Sequence, residues 1–158
     1  MVIEIDDSAG LDEDAAWRAH SSDLIRYATL LVGPIDAADI VSVAFMRVAA
    51  SPVKIREPLA YLMRAVSNAA IDQYRSRQRQ QVRDLHAVIA TTTIHGREAD
   101  VDVRRAIAAL SVQQRVVVYF TYWEDLDTNQ IAELLGITPA SVRRHLARAR
   151  FRLRKVLS

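Results

Sequence analysis

The 158-residue chain has no cysteine, which excludes disulfides and thiolate zinc sites and fits a reducing cytoplasm. Glycine and proline number four each, and no glycine-rich phosphate loop is present. No apolar run approaches membrane-spanning length, and no basic stretch precedes an apolar one at the start, so neither membrane insertion nor a secretory signal is expected. His20, His86, His95 and His145 are scattered. They show no metal-ligand spacing and no nucleophile with a paired base, so they read as surface or packing residues. These absences point to a soluble cytoplasmic protein that is no enzyme and holds no metal or cofactor.

What is present is apolar residues, at 51%, enough for a real core. The formal charge of +2 says little, but its distribution says more. Glu4, Asp6, Asp7, Asp12, Glu13 and Asp14 crowd one end, and no acid follows Glu133 at the other. Arg143, Arg144, Arg148, Arg150, Arg152, Arg154 and Lys155 make that second end purely basic. Such asymmetry suggests a nucleic-acid face balanced by an acidic tail.

The basic end is preceded by capping signals. Asp127 with Gln130 has the spacing of an N-cap and its reciprocal partner. Ile131, Leu134 and Leu135 give the helix an apolar face, and Gly136 suits its left-handed termination. Thr138 is placed to cap a second helix with Pro139 at its first position. Val142, Leu146, Ala149, Leu153 and Val156 would form that helix's packing seam. Two helices joined by a short Gly-containing turn are the signature of a helix-turn-helix, whose second helix enters the major groove. A solvated basic face or a membrane-surface helix is the alternative, but neither needs the preceding capped helix and turn.

Upstream, the pattern is helical from Ala15, with Trp17, Leu24, Ala28 and Leu31 on one side and Gly33-Pro34 as the stop. Asp36 is expected to cap a helix carrying Ile40, Val41, Ala44, Phe45 and Val48. After the Ser51–Glu57 loop, a long helix from Pro58 to about Gln80 should bury Leu59, Leu62, Met63, Val66, Ala70 and Tyr74. Val103, Ile107 and Leu110 mark a short helix, and Ser111 with Gln114 opens another. Val116 to Phe120 has strand propensity, and its cap and helical neighbours decide for helix. The fold expected is all-α: an acidic mobile tail over 1–14, helical domains over 15–82 and 100–158, and a flexible linker over 83–99.

Two runs carry a family resemblance. The first is Asp36 to Arg47, from Asp-Ala-Ala-Asp-Ile-Val to Phe-Met-Arg, followed by Tyr61 to Arg75 with Asn-Ala-Ala-Ile-Asp at its centre. The second is Ala109-Leu-Ser-Val-Gln-Gln-Arg115 with the helix-turn-helix to Arg154. In this order they resemble regions 2 and 4 of the extracytoplasmic-function sigma factors of bacterial RNA polymerase, from about Ala15 to the C-terminus.

The resemblance implies a transcription-initiation factor that binds core RNA polymerase and directs it to specific promoters. Its partners would be core polymerase, double-stranded promoter DNA, the melted non-template strand and an anti-sigma factor. It implies minus-thirty-five contacts from Ser141, Arg143, Arg144, Ala147 and Arg148, with the remaining arginines of that helix at phosphates. Arginine is suited to a guanine edge, and Ala147 to a thymine methyl. Lys54, Arg56, Arg64, Asn68, Asp72 and Arg75 would handle the minus-ten element, with Arg75, Arg77 and Arg79 tracking phosphates. Asp36, Asp39, Ile40, Val43 and Arg47 would meet polymerase.

The chain departs from the family at Ser42-Val43-Ala44, where Gln, an acid, and Thr or Val are usual. A carboxylate and a long amide are thereby missing from the docking helix. The loop before Pro58 also lacks the usual aromatic, Gly-containing run. Two rivals fit these departures: a stand-alone helix-turn-helix regulator, and a sigma-like decoy that sequesters an anti-sigma factor.

Overall fold

A computed structural model describes residues 11–51, 55–83 and 98–157. Their regular structure is entirely helical: α1 (Glu13–Val32), α2 (Ala37–Ala49), α3 (Pro58–Arg83), α4 (Glu98–Ala108), α5 (Val112–Tyr122), α6 (Thr128–Leu135) and α7 (Pro139–Leu157). Packing divides the chain into two compact units, one ending at Ala70 and the other beginning at Ile71, within α3. Of the stretch read as a linker, 84–97 lies outside the described residues, while Arg83 closes α3 and Glu98 opens α4.

The first unit is built on α1 and α2, which pack against each other, and on the start of α3. α1 begins two residues before the expected Ala15. The Asp12 carboxylate accepts the Ala15 N–H at 3.1 Å, and Glu13 and Asp14 fill the first turn. Carboxylates there face the positive end of the helix dipole, so these acids start a helix where a tail was expected. At the other end Gly33, at φ 86°, accepts a turn that a Cβ would resist.

Leu24, Ala28 and Leu31 of α1, Ile40, Val41, Ala44, Phe45 and Val48 of α2, and Leu62, Met63 and Val66 of α3 are buried. Each large side chain among them stabilises the unit by roughly 1.5–3 kcal/mol through apolar burial. Trp17, expected on the inner face, is 41% exposed and meets Phe45 edge-on at 5.0 Å. Tyr74 is likewise exposed; Gln78 donates to its hydroxyl at 2.8 Å. Asp36 precedes α2 without a side-chain cap, because its backbone is already helical at φ −95° and ψ −11°. Capping requires extended backbone there.

A polar pair lies inside this core. Ser67 donates to the Met63 carbonyl at 2.7 Å, which uses its one proton. The Tyr27 hydroxyl therefore donates to Ser67 Oγ, also at 2.7 Å, and ties α1 to α3.

In the second unit α7 packs against α4, α5 and α6. Val112, Val116, Val117 and Phe120 of α5 are buried with Ile131 and Ala132 of α6 and Val142, Leu146 and Ala149 of α7. The run of strand-forming residues in α5 is helical, opened by the Ser111–Gln114 capping box. Two arginines from other helices hold the carbonyl end of α4. Arg115 donates to the Ile107 and Ala108 carbonyls, both at 3.0 Å. Arg152 donates to the Ala109 carbonyl at 3.3 Å and to Gln114 Oε1 at 3.2 Å. Cations at the negative end of a helix dipole satisfy carbonyls the helix leaves open. Burial lowers the Arg115 pKa from its ordinary value.

Among the described residues, no single helix is long and apolar enough to cross a membrane.

Candidate nucleic-acid interface

The Asp127 carboxylate accepts the Asn129 and Gln130 N–H groups at 2.8 and 2.9 Å, and Gln130 Oε1 accepts the Asp127 N–H at 2.8 Å. This is the reciprocal box expected for the start of α6. Gly136 ends the helix at φ 65° and ψ 35°. Its N–H reaches the Glu133 carbonyl at 3.3 Å, and the Ile137 N–H reaches that of Ala132 at 3.0 Å, a Schellman closure. Thr138 then accepts the Ser141 N–H at 3.2 Å, so α7 starts two residues after the turn. Three local devices thus fix the angle at which α7 leaves α6.

Buried Val142, Leu146 and Ala149 hold one face of α7 against the unit. Leu153 is half-buried and Val156 is exposed, so the packing seam loosens toward the C-terminus. Arg143, Arg144, Ala147 and Arg148 are all exposed. Their i, i+1, i+4, i+5 spacing places them on one stripe in the first half of the helix. Arg143 and Arg144 lie near the positive end of the helix dipole, so like charges gather there and favour an anion. His145, half-buried beside them, has its pKa lowered by burial first and then by the Arg144 and Arg148 guanidiniums.

The rest of the basic run is not equivalent to this stripe. Arg152 holds α4 and Gln114, as described above. Arg150 Nε donates to the Tyr122 hydroxyl at 2.9 Å, and its guanidinium lies 5.9 Å from that ring's centroid. Both are expected at phosphates from the resemblance, and in the structure each also has a partner beyond α7. Sequence reading missed Tyr122, and it missed the second role of Gln114 beyond its capping box. No local pattern marks these two contacts, because the partners lie 28 and 38 residues apart.

On α3, Arg64, Asn68, Asp72 and Arg75 recur every three or four residues and form one line, with Asn68 half-buried and the others exposed. Buried Leu62, Met63, Val66 and Ser67 occupy the opposite side. Arg56 is exposed just before α3, and Lys54 lies outside the described residues. On α2, Asp39 and Arg47 are exposed, while Asp36 and Val43 are half-buried. Ile40, expected at a partner surface, is only 4% exposed and packs in the core. Of the departing residues, Ser42 is exposed and bonds back to the Ala38 carbonyl at 2.9 Å, whereas Ala44 is buried.

Two family models divide the chain in the same order. Sigma-70 region 2 matches residues 16–80, and Sigma-70 region 4 matches residues 100–153. The RNA polymerase sigma-E factors of Streptomyces avermitilis and Streptomyces coelicolor are each 30% identical over 149 residues, covering 89% of this chain and 82% of the relative. That of Streptomyces antibioticus is 27% identical over 164 residues, covering 99% and 86%. The fold is shared with the Bartonella quintana sigma factor RpoE, solved in complex with the anti-sigma factor NepR. That likeness has a TM-score of 0.73 at 22% identity and covers 92% of this chain and 96% of the other. The chain therefore belongs to the sigma-70 family, as a sigma factor of the extracytoplasmic-function type that carries regions 2 and 4 and directs RNA polymerase to promoters.

Proposed function

We propose that this sigma factor divides its work between three surfaces, acting in the cytoplasm alongside the polymerase. The first half of α7, through Arg143, Arg144, Ala147 and Arg148, reads the minus-thirty-five duplex. The line of Arg64, Asn68, Asp72 and Arg75 on α3, with Lys54 and Arg56 before it, handles the minus-ten element and its melted strand. Asp36, Asp39, Val43 and Arg47 of α2 meet core polymerase. In this reading residues 15–82 and 100–158 act as two modules joined by 83–99. The region 2 and region 4 matches support that division. The region 2 match also removes the ground for a stand-alone regulator. An anti-sigma factor is a partner by analogy with the Bartonella protein.

The observation that carries the assignment of α7 is the separation of its arginines. Those in the first half form an exposed stripe on a helix capped at its start by Thr138, while Arg150 and Arg152 reach partners beyond α7. Base reading by the first half makes a distinct demand. Replacing Arg144 with Ala costs about 1–3 kcal/mol on the preferred duplex and flattens preference among sequences. Binding isotherms on the preferred and a scrambled duplex test this; equal losses on both would make Arg144 a phosphate contact.

A further inference from the structure

Three side chains at the start of α7 form a connected series. Thr138 Oγ1 accepts the Ser141 backbone N–H at 3.2 Å and donates its own proton to Ser141 Oγ at 3.0 Å. Ser141 Oγ in turn accepts from Arg144 Nη2 at 3.3 Å. A serine hydroxyl has two acceptor lone pairs and one proton. Both acceptor positions are taken within the helix, and the proton remains available to donate outward. The guanidinium is held at one nitrogen and keeps its other donors.

We infer that Ser141 is a positioning residue for Arg144. The Thr138–Ser141–Arg144 series orients the guanidinium before DNA arrives, and so sets sequence discrimination more than overall affinity. This rests on the reading of Arg144 as a base-reading residue. The physical reason lies in the geometry of bidentate recognition. Two parallel N–H bonds to a base edge require one orientation of the guanidinium plane, whereas a phosphate accepts a charge from many directions. An arginine side chain left to itself samples many rotamers, and fixing it in advance removes that ordering cost from the specific complex. The series also fixes polarity. With the acceptor positions of Ser141 occupied and arginine a donor only, this end of α7 presents donors to the groove. It therefore favours a base edge that offers acceptors and disfavours one that offers an amino group.

The test uses the full chain bound to core polymerase, with a preferred duplex selected by the wild-type complex from a randomised pool and a scrambled duplex beside it. Ser141→Ala leaves the cap in place, because Thr138 accepts a backbone N–H there. The expected result for Ser141→Ala is a loss of preference for the selected duplex of about three- to tenfold, with affinity for the scrambled one little changed. Ser141→Thr, which keeps the hydroxyl, retains the preference. In an Arg144→Ala background Ser141→Ala has no further effect, since nothing is left to orient. If Arg144→Ala loses preference while Ser141→Ala keeps it, or Ser141→Ala loses as much in the Arg144→Ala background as in wild type, the positioning role is overturned and base reading by Arg144 stands. If Arg144→Ala weakens both duplexes equally, base reading fails and the positioning role with it.

Discussion

Arg152 and Arg148 are both exposed arginines on α7, yet Arg152 has partners outside its helix and Arg148 lies on the stripe proposed to read DNA. Arg152 Nη1 bonds the Ala109 carbonyl and Gln114 Oε1. Arg152→Met removes the guanidinium and keeps most of the apolar stem. Gln114 Oε1 still accepts the Ser111 N–H at 3.1 Å, so no buried acceptor is orphaned. What is lost is a charge at the carbonyl end of α4, about 0.3–1 kcal/mol. A charge-assisted bond is lost with it, about 1 kcal/mol in this partly solvated setting. The expected destabilisation is about 1–2 kcal/mol, or about 5–10 °C in Tm for a unit of this size. Trp17 and Trp123 are the only tryptophans and fall in different units, so Trp123 fluorescence in a Trp17→Phe background follows this unit alone. The same substitution should leave the salt dependence of duplex binding unchanged. Arg148→Ala should instead hold Tm and cost about 1–3 kcal/mol of binding to the preferred duplex. An Arg152→Met protein with an unmoved Tm and a reduced salt slope would refute the assignment.

The parts of this fold that were legible in the sequence are those set by short-range chemistry. Both capping boxes, the Gly136 termination and the Thr138 cap each need residues no more than about five positions apart, and each is found as expected. The Ser111–Gln114 box correctly overrode the strand propensity of Val116 to Phe120. Asp12 was legible too, as an acid followed by two more in a first turn, but the general acidity of that end hid it. Asp36 shows the converse: the right residue type stands before α2, and the backbone leaves no room for its side chain to cap.

What was not legible depends on contacts between distant helices. A run of arginines looks uniform in sequence, and only the placement of α4 and α5 against α7 separates Arg152 and Arg150 from Arg143, Arg144 and Arg148. The buried Tyr27–Ser67 bond is similar, since its partners lie 40 residues apart. Exposure also escapes periodicity. Trp17, Tyr74 and Val156 all continue apolar stripes, yet each is more than a third exposed.

Four further substitutions test local features. Asp125 holds φ 51° in the turn after α5, so Asp125→Gly should raise stability by about 0.5–1 kcal/mol, read by denaturant midpoint; a lower midpoint would mean its carboxylate has a partner worth more than the strain. His145 has a folded pKa below the ordinary 6.5, so below that value the unfolded chain binds a proton the folded chain resists. Its contribution to stability is whole above about pH 6.5 and is lost as pH falls from there through the lowered folded value. His145→Gln should flatten the stability curve in that window, and an unchanged slope would place the titration elsewhere. The neighbouring residues Asp39 and Ile40 offer the sharpest contrast, because one step along a helix turns a side chain by about 100°. Asp39 is exposed in the first turn of α2, so Asp39→Arg should lower the Tm only slightly and weaken binding to core polymerase by reversing a charge at the proposed surface. Ile40 is in the core, so Ile40→Ala should cost about 2–4 kcal/mol of stability. Measured at a temperature where that variant is still folded, its affinity for polymerase should match wild type. Core binding that survives Asp39→Arg but falls with folded Ile40→Ala would show that α2 docks by a face the structure has turned inward, and that region 2 must open to meet its partner.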